Sequence, residues 1–186
     1  MTLFTGKGDN GTTKTFGCNQ RISKSSTVAW ALGTLDECNS FVGLAKAKSK
    51  DVDYEVPGAG AKLAVVLHQV QENMFIVQAE TAGADKKNSA DKVTWAENII
   101  NEIEKTLPPI STFFIPGSTE LGALLDICRT VSRRAERLLV EVSTEGVQPI
   151  GADTLAYMNR LSSLLYALAR LTNHMSGITE EPPQYK

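Results

Sequence analysis

Apolar and small residues recur along most of this chain in steps of three and four. The clearest run lies in FFIPGSTELGALLDICRTVSRRAERLLVEV, which begins at Phe113. There Leu121, Leu124, Leu125, Cys128, Val131, Ser132, Ala135, Leu138, Leu139 and Val142 trace one stripe. This spacing predicts a helix packed along that stripe against other helices, with Ser118 as its N-cap. Four more stretches repeat the pattern. Residues 25–48 carry Val28, Ala31, Leu35, Cys38, Asn39, Val42 and Ala45, behind Ser25 or Ser26 as a cap. Residues 61–83 carry Leu63, Val66, Leu67, Val70, Met74 and Val77. A third helix follows Thr94 as cap, with Trp95, Ile99 and Ile103, and Pro108-Pro109 stops it. The last follows Asp153 as cap and carries Leu155, Met158, Leu161, Leu165, Leu168 and Thr172 to about Met175.

No stretch reads as a convincing strand pair, and no internal repeat is visible. The expected fold is all-α: an up-down five-helix bundle with a glycine-rich N-terminal arm. A single domain over 1–186 is expected: an arm over 1–24, a bundle over 25–176 and a tail over 177–186. The tail GITEEPPQYK is polar and needs docking to be held.

Composition narrows the function classes. The 186 residues are 42% hydrophobic and 22% charged, with a formal net charge of −2. Such a balance argues against non-specific nucleic-acid binding, which depends on a basic surface. No apolar run approaches the roughly 20 residues of a membrane span. The N-terminus MTLFTGKGDNG has no secretory pattern, so a cytoplasmic protein is expected. Cys18, Cys38 and Cys128 form no CxxC pair. Cys38 and Cys128 fall on helix seams, where free thiols behave as small apolar residues. Neither His68 nor His174 follows a Glu by three residues, which removes the di-iron helix-bundle pattern.

The candidate chemistry lies where polar residues interrupt these patterns. Arg129, Arg133 and Glu136 share one narrow face beside the stripe of the 113–142 helix, with Arg137 further round. The plain interpretation is a solvated face with internal ion pairs, Arg133 with Glu136 or Arg137 with Glu141. Its rival is an anion site, because a guanidinium fork suits phosphate. The arm offers Thr5, Gly6, Lys7, Gly8, Asp9, Gly11, Thr13, Lys14 and Lys24. It has the glycine spacing of a phosphate loop but puts Thr12 where that motif needs Lys. Asp36 sits at a seam edge, either solvated or paired with a cation on a neighbour, and Asn159 on a seam, where its amide makes either an interhelical or a ligand contact. Phe113 and Phe114 cannot both enter one core, so one is available to a ligand.

Four of these segments resemble the PduO-type ATP:cob(I)alamin adenosyltransferases, in that family's order. Thr5-GKGDNGT-Thr13 resembles the N-terminal TxxGDxGxT signature, and Gly33-TLDEC-Asn39 the G-x-x-DEL-N helix. Arg129-TVSRRAE-Arg137 resembles the arginine-rich helix, and Met158-NRLSSLLYALA-Arg170 the LNRLSDxLFxxAR segment. Ser163 stands where the family pattern is acidic, and Cys38 where it has Leu.

The resemblance implies a five-helix bundle of the ferritin-like, cobalamin adenosyltransferase-like kind, assembled as a homotrimer with active sites between subunits. It implies transfer of the 5′-deoxyadenosyl group of ATP to cob(I)alamin, with Mg²⁺ accompanying ATP and no metal ligand assigned to the protein. By position, ATP would meet Thr5, Gly6, Lys7, Gly8, Thr13, Lys14, Lys24, Arg133, Arg134, Glu136, Arg137 and Asn159, with Asp9 and Gly11 shaping the arm. Asp36 and Arg129 would form an intersubunit ion pair beside the corrinoid, Phe113 would cover the lower face of cobalt, and Tyr185 of the tail would close over the corrinoid. The catalytic set would be Arg133, Phe113, Asp36 and Arg129. A reductase and an adenosylcobalamin-dependent acceptor enzyme would be partners. The alternative is a non-catalytic trimeric nucleotide-binding or adenosylcobalamin-delivery protein on the same fold; a purely structural bundle would have no use for the glycine-rich arm.

Overall fold

The computed structural model describes residues 3–16 and 21–185. Cys18 lies outside them. Five helices follow the expected order: α1 (Thr27–Lys48), α2 (Leu63–Thr81), α3 (Ala90–Thr106), α4 (Glu120–Glu145) and α5 (Ala152–Met175). Helices α1, α2, α4 and α5 carry the main core, and α3 packs against α5. The predicted stripes are the core. Leu35, Val42, Leu67, Val70, Met74, Leu125, Leu139, Leu161 and Leu165 are all fully buried, as are Cys38 and Cys128. Burial raises both thiols well above the ordinary range, Cys128 to about 12.

Three helix starts differ from the expectation. Thr119, not Ser118, caps α4: its hydroxyl oxygen accepts the Gly122 amide at 3.0 Å. Helix α3 begins at Ala90 after Ser89, so Thr94 lies inside it and donates to the Ala90 carbonyl. Helix α5 begins after Gly151, and Asp153 stands in its first turn. There the capping carboxylate comes from another helix. Buried Glu80 of α2 accepts from the Gly151 amide at 2.7 Å and from the Thr154 hydroxyl. Glu80 thus takes the amide of the N-cap residue itself, a different donor from the first-turn amides that a local Asp cap would serve. Ser26 caps α1 as expected.

Two short hairpins correct the expectation that no strands pair. β1 (Thr12–Lys14) pairs antiparallel with β2 (Arg21–Ser23) in the arm. β3 (Glu55–Val56) pairs with β4 (Ala61–Lys62) between α1 and α2. The second hairpin leans on α3. Gly58 has φ +77°, and a Cβ there would stand 2.8 Å from the Asn98 carbonyl, so glycine alone permits the approach. Among the described residues no helix is long and apolar enough to cross a membrane.

Candidate functional site

The arm's glycines build a compact turn. The Asp9 amide donates to the Gly6 carbonyl, and the Gly11 amide to that of Gly8. Gly6 and Gly11 take φ of +66° and +78°. The Lys24 amide donates to the Gly11 carbonyl at 2.9 Å, and a Cβ on Gly8 would meet Lys24 Nζ at 3.2 Å. The hairpin therefore carries the Lys24 ammonium onto the glycine turn. Arg21 secures the hairpin through Nε to Thr12 Oγ1 at 2.6 Å and through a second nitrogen to the Thr12 carbonyl. Thr5 and Lys7 are exposed, Thr13 is half-buried, and exposed Lys14 has an interaction of its own.

On α4 the four arginines divide into two pairs. Arg129 is engaged within the chain: Nε donates to Asp126 at 2.8 Å, and its Cζ lies 5.7 Å from the Tyr166 ring centroid. Arg134 reaches across to Glu37 of α1. Arg133 and Arg137 form no ion pair among the described residues, and the internal pairs expected with Glu136 and Glu141 are not made. They line a cavity of about 290 Å³ with Glu136, Val140 and Asn159. A hydrogen-bonded chain orders its polar edge. Arg160 joins Glu97 of α3 at 2.7 Å and donates to Asn159 Oδ1 at 2.6 Å, while Asn159 Nδ2 donates to Glu136 at 2.8 Å. Asn159 is thus an exposed interhelical contact, not a buried seam residue. The Arg160 contact fixes which side of its amide faces Glu136.

A wider groove of about 690 Å³ runs between α1 and α4, lined by Trp30, Thr34, Glu37, Arg134, Arg137, Leu138 and Glu141. Arg137 borders both hollows. Neither lining includes a residue of the arm among those described. One chain thus gathers Arg133, Glu136, Arg137 and Asn159 around one cavity, and the arm's Lys7, Thr13 and Lys24 are not among the residues that line it. Asp36 is exposed on α1 and has no ion pair among the described residues. Phe113 is 77% exposed, whereas Phe114 turns inward, its ring centroid 4.9 Å from Arg170 Cζ. Tyr185 is exposed.

A family model described as cobalamin adenosyltransferase matches residues 3–172, from the arm to the end of α5. The chain belongs to that family. It is 35% identical to a corrinoid adenosyltransferase from Bacillus subtilis, over 96% of this chain and 90% of the relative. It is also 35% identical to the corrinoid adenosyltransferase PduO of Citrobacter freundii, and spans about half of that protein's length (50%). Among solved structures, a variant PduO-type ATP:corrinoid adenosyltransferase from Lactobacillus reuteri, complexed with cobalamin and ATP, superposes with a TM-score of 0.88 at 27% identity. The match covers 99% of this chain and 97% of that one.

Sequence patterning missed several polar groups of this adenosyltransferase fold. Arg160 and Glu97 order Asn159 from two helices, and no local spacing links them. Tyr166 under Arg129 was visible only as a residue within the Met158–Arg170 segment. The partners of Arg170 come from beyond the helices altogether.

Proposed function

We propose that this chain transfers the 5′-deoxyadenosyl group of ATP to cob(I)alamin, forming adenosylcobalamin and triphosphate. The observation that carries this is the pair Arg133 and Arg137, two cations that form no ion pair among the described residues and line a cavity whose Glu136 carboxylate accepts from Asn159. An anionic ligand would complete them, and the family's nucleotide is such a ligand. The nucleophile is the Co(I) centre of the corrinoid substrate, so the protein need not provide one. Its residues hold the ATP ribose and phosphates in line and stabilise charge on the departing triphosphate. Arg133 and Arg137 suit that charge, as do Lys7, Lys14 and Lys24 with the amides of the glycine turn.

Within one chain no described arm residue lines the α4 cavity, which favours a homotrimer whose sites join the arm of one subunit to α4 and α5 of the next. Asp36 without a pair suits the same arrangement, reaching Arg129 of a neighbour. Phe113, presented outward, would cover the lower face of cobalt. An apolar ring there keeps water off the metal and eases reduction to Co(I). Mg²⁺ would accompany ATP. Among the described residues no group of three His, Cys, Asp or Glu side chains could hold a metal, so the phosphates would supply most of its ligands, with Glu136 or Asp9 nearby. The protein would work in the cytoplasm with a reductase and an adenosylcobalamin-dependent acceptor enzyme.

The deciding experiment follows the absorbance change of adenosylcobalamin formation from ATP, Mg²⁺ and chemically reduced cobalamin. Turnover is expected. Tight ATP binding without any adenosylcobalamin would replace this proposal with a non-catalytic nucleotide-binding or delivery role.

A further inference from the structure

The connection between α3 and α4, residues 107–119, carries Phe113. Little in its own sequence holds it, yet it is pinned at its start, middle and end by α5 and the segment after it. At the start, Arg170 of α5 donates to the Pro108 carbonyl at 3.4 Å. In the middle, Phe114 lies against the Arg170 guanidinium, and the Ile115 amide donates to the Glu181 carbonyl at 2.8 Å. At the end, the Thr119 hydroxyl that caps α4 donates to Asn173 Oδ1 at 2.7 Å. Gly122 leaves room for this contact, since a Cβ there would fall 2.2 Å from Asn173 Oδ1.

Both anchoring side chains converge on one carboxylate. Glu180 Oε2 accepts from Arg170 Nε at 3.0 Å, and Oε1 accepts from Asn173 Nδ2 at 2.9 Å. The Arg170 and Glu180 side chains are only 7% and 14% exposed. The tail residues 177–181 are therefore a docked strap, turned back at Gly177 and by the Ile178 amide on the Asn173 carbonyl. The residues on the C-terminal side of Phe113 are fastened, and its own ring is left facing out.

We propose that Glu180 is a positioning residue: it orients Arg170 and Asn173, and through them fixes the loop that presents Phe113. Both carboxylate oxygens of Glu180 are taken up by Arg170 and Asn173, and it is assigned no substrate contact. Its effect on the reaction rests on the assignment of Phe113 to the lower face of cobalt, but its effect on the loop does not. A buried pair broken on one side leaves a charge without its partner. Losing Glu180 leaves Arg170 free to re-aim and withdraws the hydrogen bond to Asn173, so the loop loosens while the helices remain.

The test uses Glu180→Ala, Glu180→Gln and, as reference, Phe113→Ala. In the ligand-free protein, hydrogen exchange at the Ile115 amide and across 110–118 is expected to rise about tenfold in Glu180→Ala. It should rise less in Glu180→Gln, which keeps the shape and the Asn173 contact. With ATP and cob(II)alamin bound, electron paramagnetic resonance should show less four-coordinate cobalt in Glu180→Ala, as in Phe113→Ala. ATP affinity should stay within about twofold, because no ATP ligand is moved. Unchanged exchange at Ile115 would overturn the proposal. So would an ATP affinity that falls as far as the four-coordinate fraction. If Phe113→Ala leaves the cobalt spectrum unaltered, the lower-face assignment fails instead, and the exchange result alone decides the strap.

Discussion

Arg133 and Arg170 stand on adjacent helices of one bundle and are built for opposite ends. Arg170 is 6% exposed and finds a carboxylate, a carbonyl and an aromatic ring within its own chain. Arg133 is exposed on a cavity wall with no ion-pair partner among the described residues. A guanidinium whose neighbours are already supplied holds structure together, and one left without an anion beside an ordered polar edge is arranged for something that arrives. The other arginines of α4 fall between: both are paired, with Arg129 26% and Arg134 48% exposed. Partner geometry, more than position on the helix, separates the roles.

The strongest way to break this comparison is Arg133→Ala. Adenosylcobalamin formation should drop by about 100-fold or more, the loss typical of removing one preorganised charge stabiliser. The thermal midpoint should hold within about 1–2 °C, because an exposed side chain away from packing contributes little to stability. Normal turnover would remove Arg133 from the site.

Arg170→Ala should do the reverse. It strands the Glu180 carboxylate and deletes the support under Phe114, at a cost of about 2–3 kcal/mol in chemical denaturation. The strap can swing into water and relieve part of this, which keeps the figure below that of a rigid buried pair. A variant as stable as the parent would mean that the strap does not dock in solution.

The corrinoid-side residues give smaller, split effects. Phe113→Ala should lower the rate by about tenfold when cob(II)alamin is reduced on the enzyme, and less when free cob(I)alamin is supplied. Equal losses would count against the lower-face role. Asp36→Asn should weaken corrinoid binding more than ATP binding, by about 1–2 kcal/mol if it pairs with a neighbour's Arg129. The opposite order would place Asp36 elsewhere.

The helices were legible because their seams are regular. Leu121 to Val142 steps by three and four, and each stripe is buried where it was expected. Caps were less legible. Ser118 and Thr119 both carry a hydroxyl before the seam, and only backbone geometry chooses. Helix α3 opens with Ala90-Asp-Lys, a solvated turn that periodicity cannot see, which moved its start to Thr94. Asp153 looked like a cap because Glu80, the actual acceptor, is more than seventy residues away along the chain. Strands of two or three residues carry no alternation to detect. At the site, Arg133, Glu136 and Arg137 were visible as a stripe, and the resemblance to a family favoured ligand contacts over solvation for them. The strap was invisible: Glu180 reads as one charge in a polar tail, and Arg170 lies in a part of α5 buried all round.

Gly122→Ala gives the smallest effect and the finest division of the Arg170 region. An alanine is favoured over glycine inside a helix by up to about 1 kcal/mol, but Gly122 stands in the first turn, where that gain is reduced. Against it, the new methyl would collide with Asn173 Oδ1 and with the Thr119 hydroxyl at 2.8 Å. Overpacking of this kind costs about 1–3 kcal/mol. The net expectation is a loss of about 1 kcal/mol, or roughly 2–4 °C in melting temperature for a domain of this size. The collision separates Asn173 from the α4 cap but leaves Arg170 on Glu180. Exchange at the Ile115 amide should therefore rise far less than in Glu180→Ala. Should the two variants loosen the loop equally, Asn173 carries the strap and Arg170 merely fills space beneath Phe114.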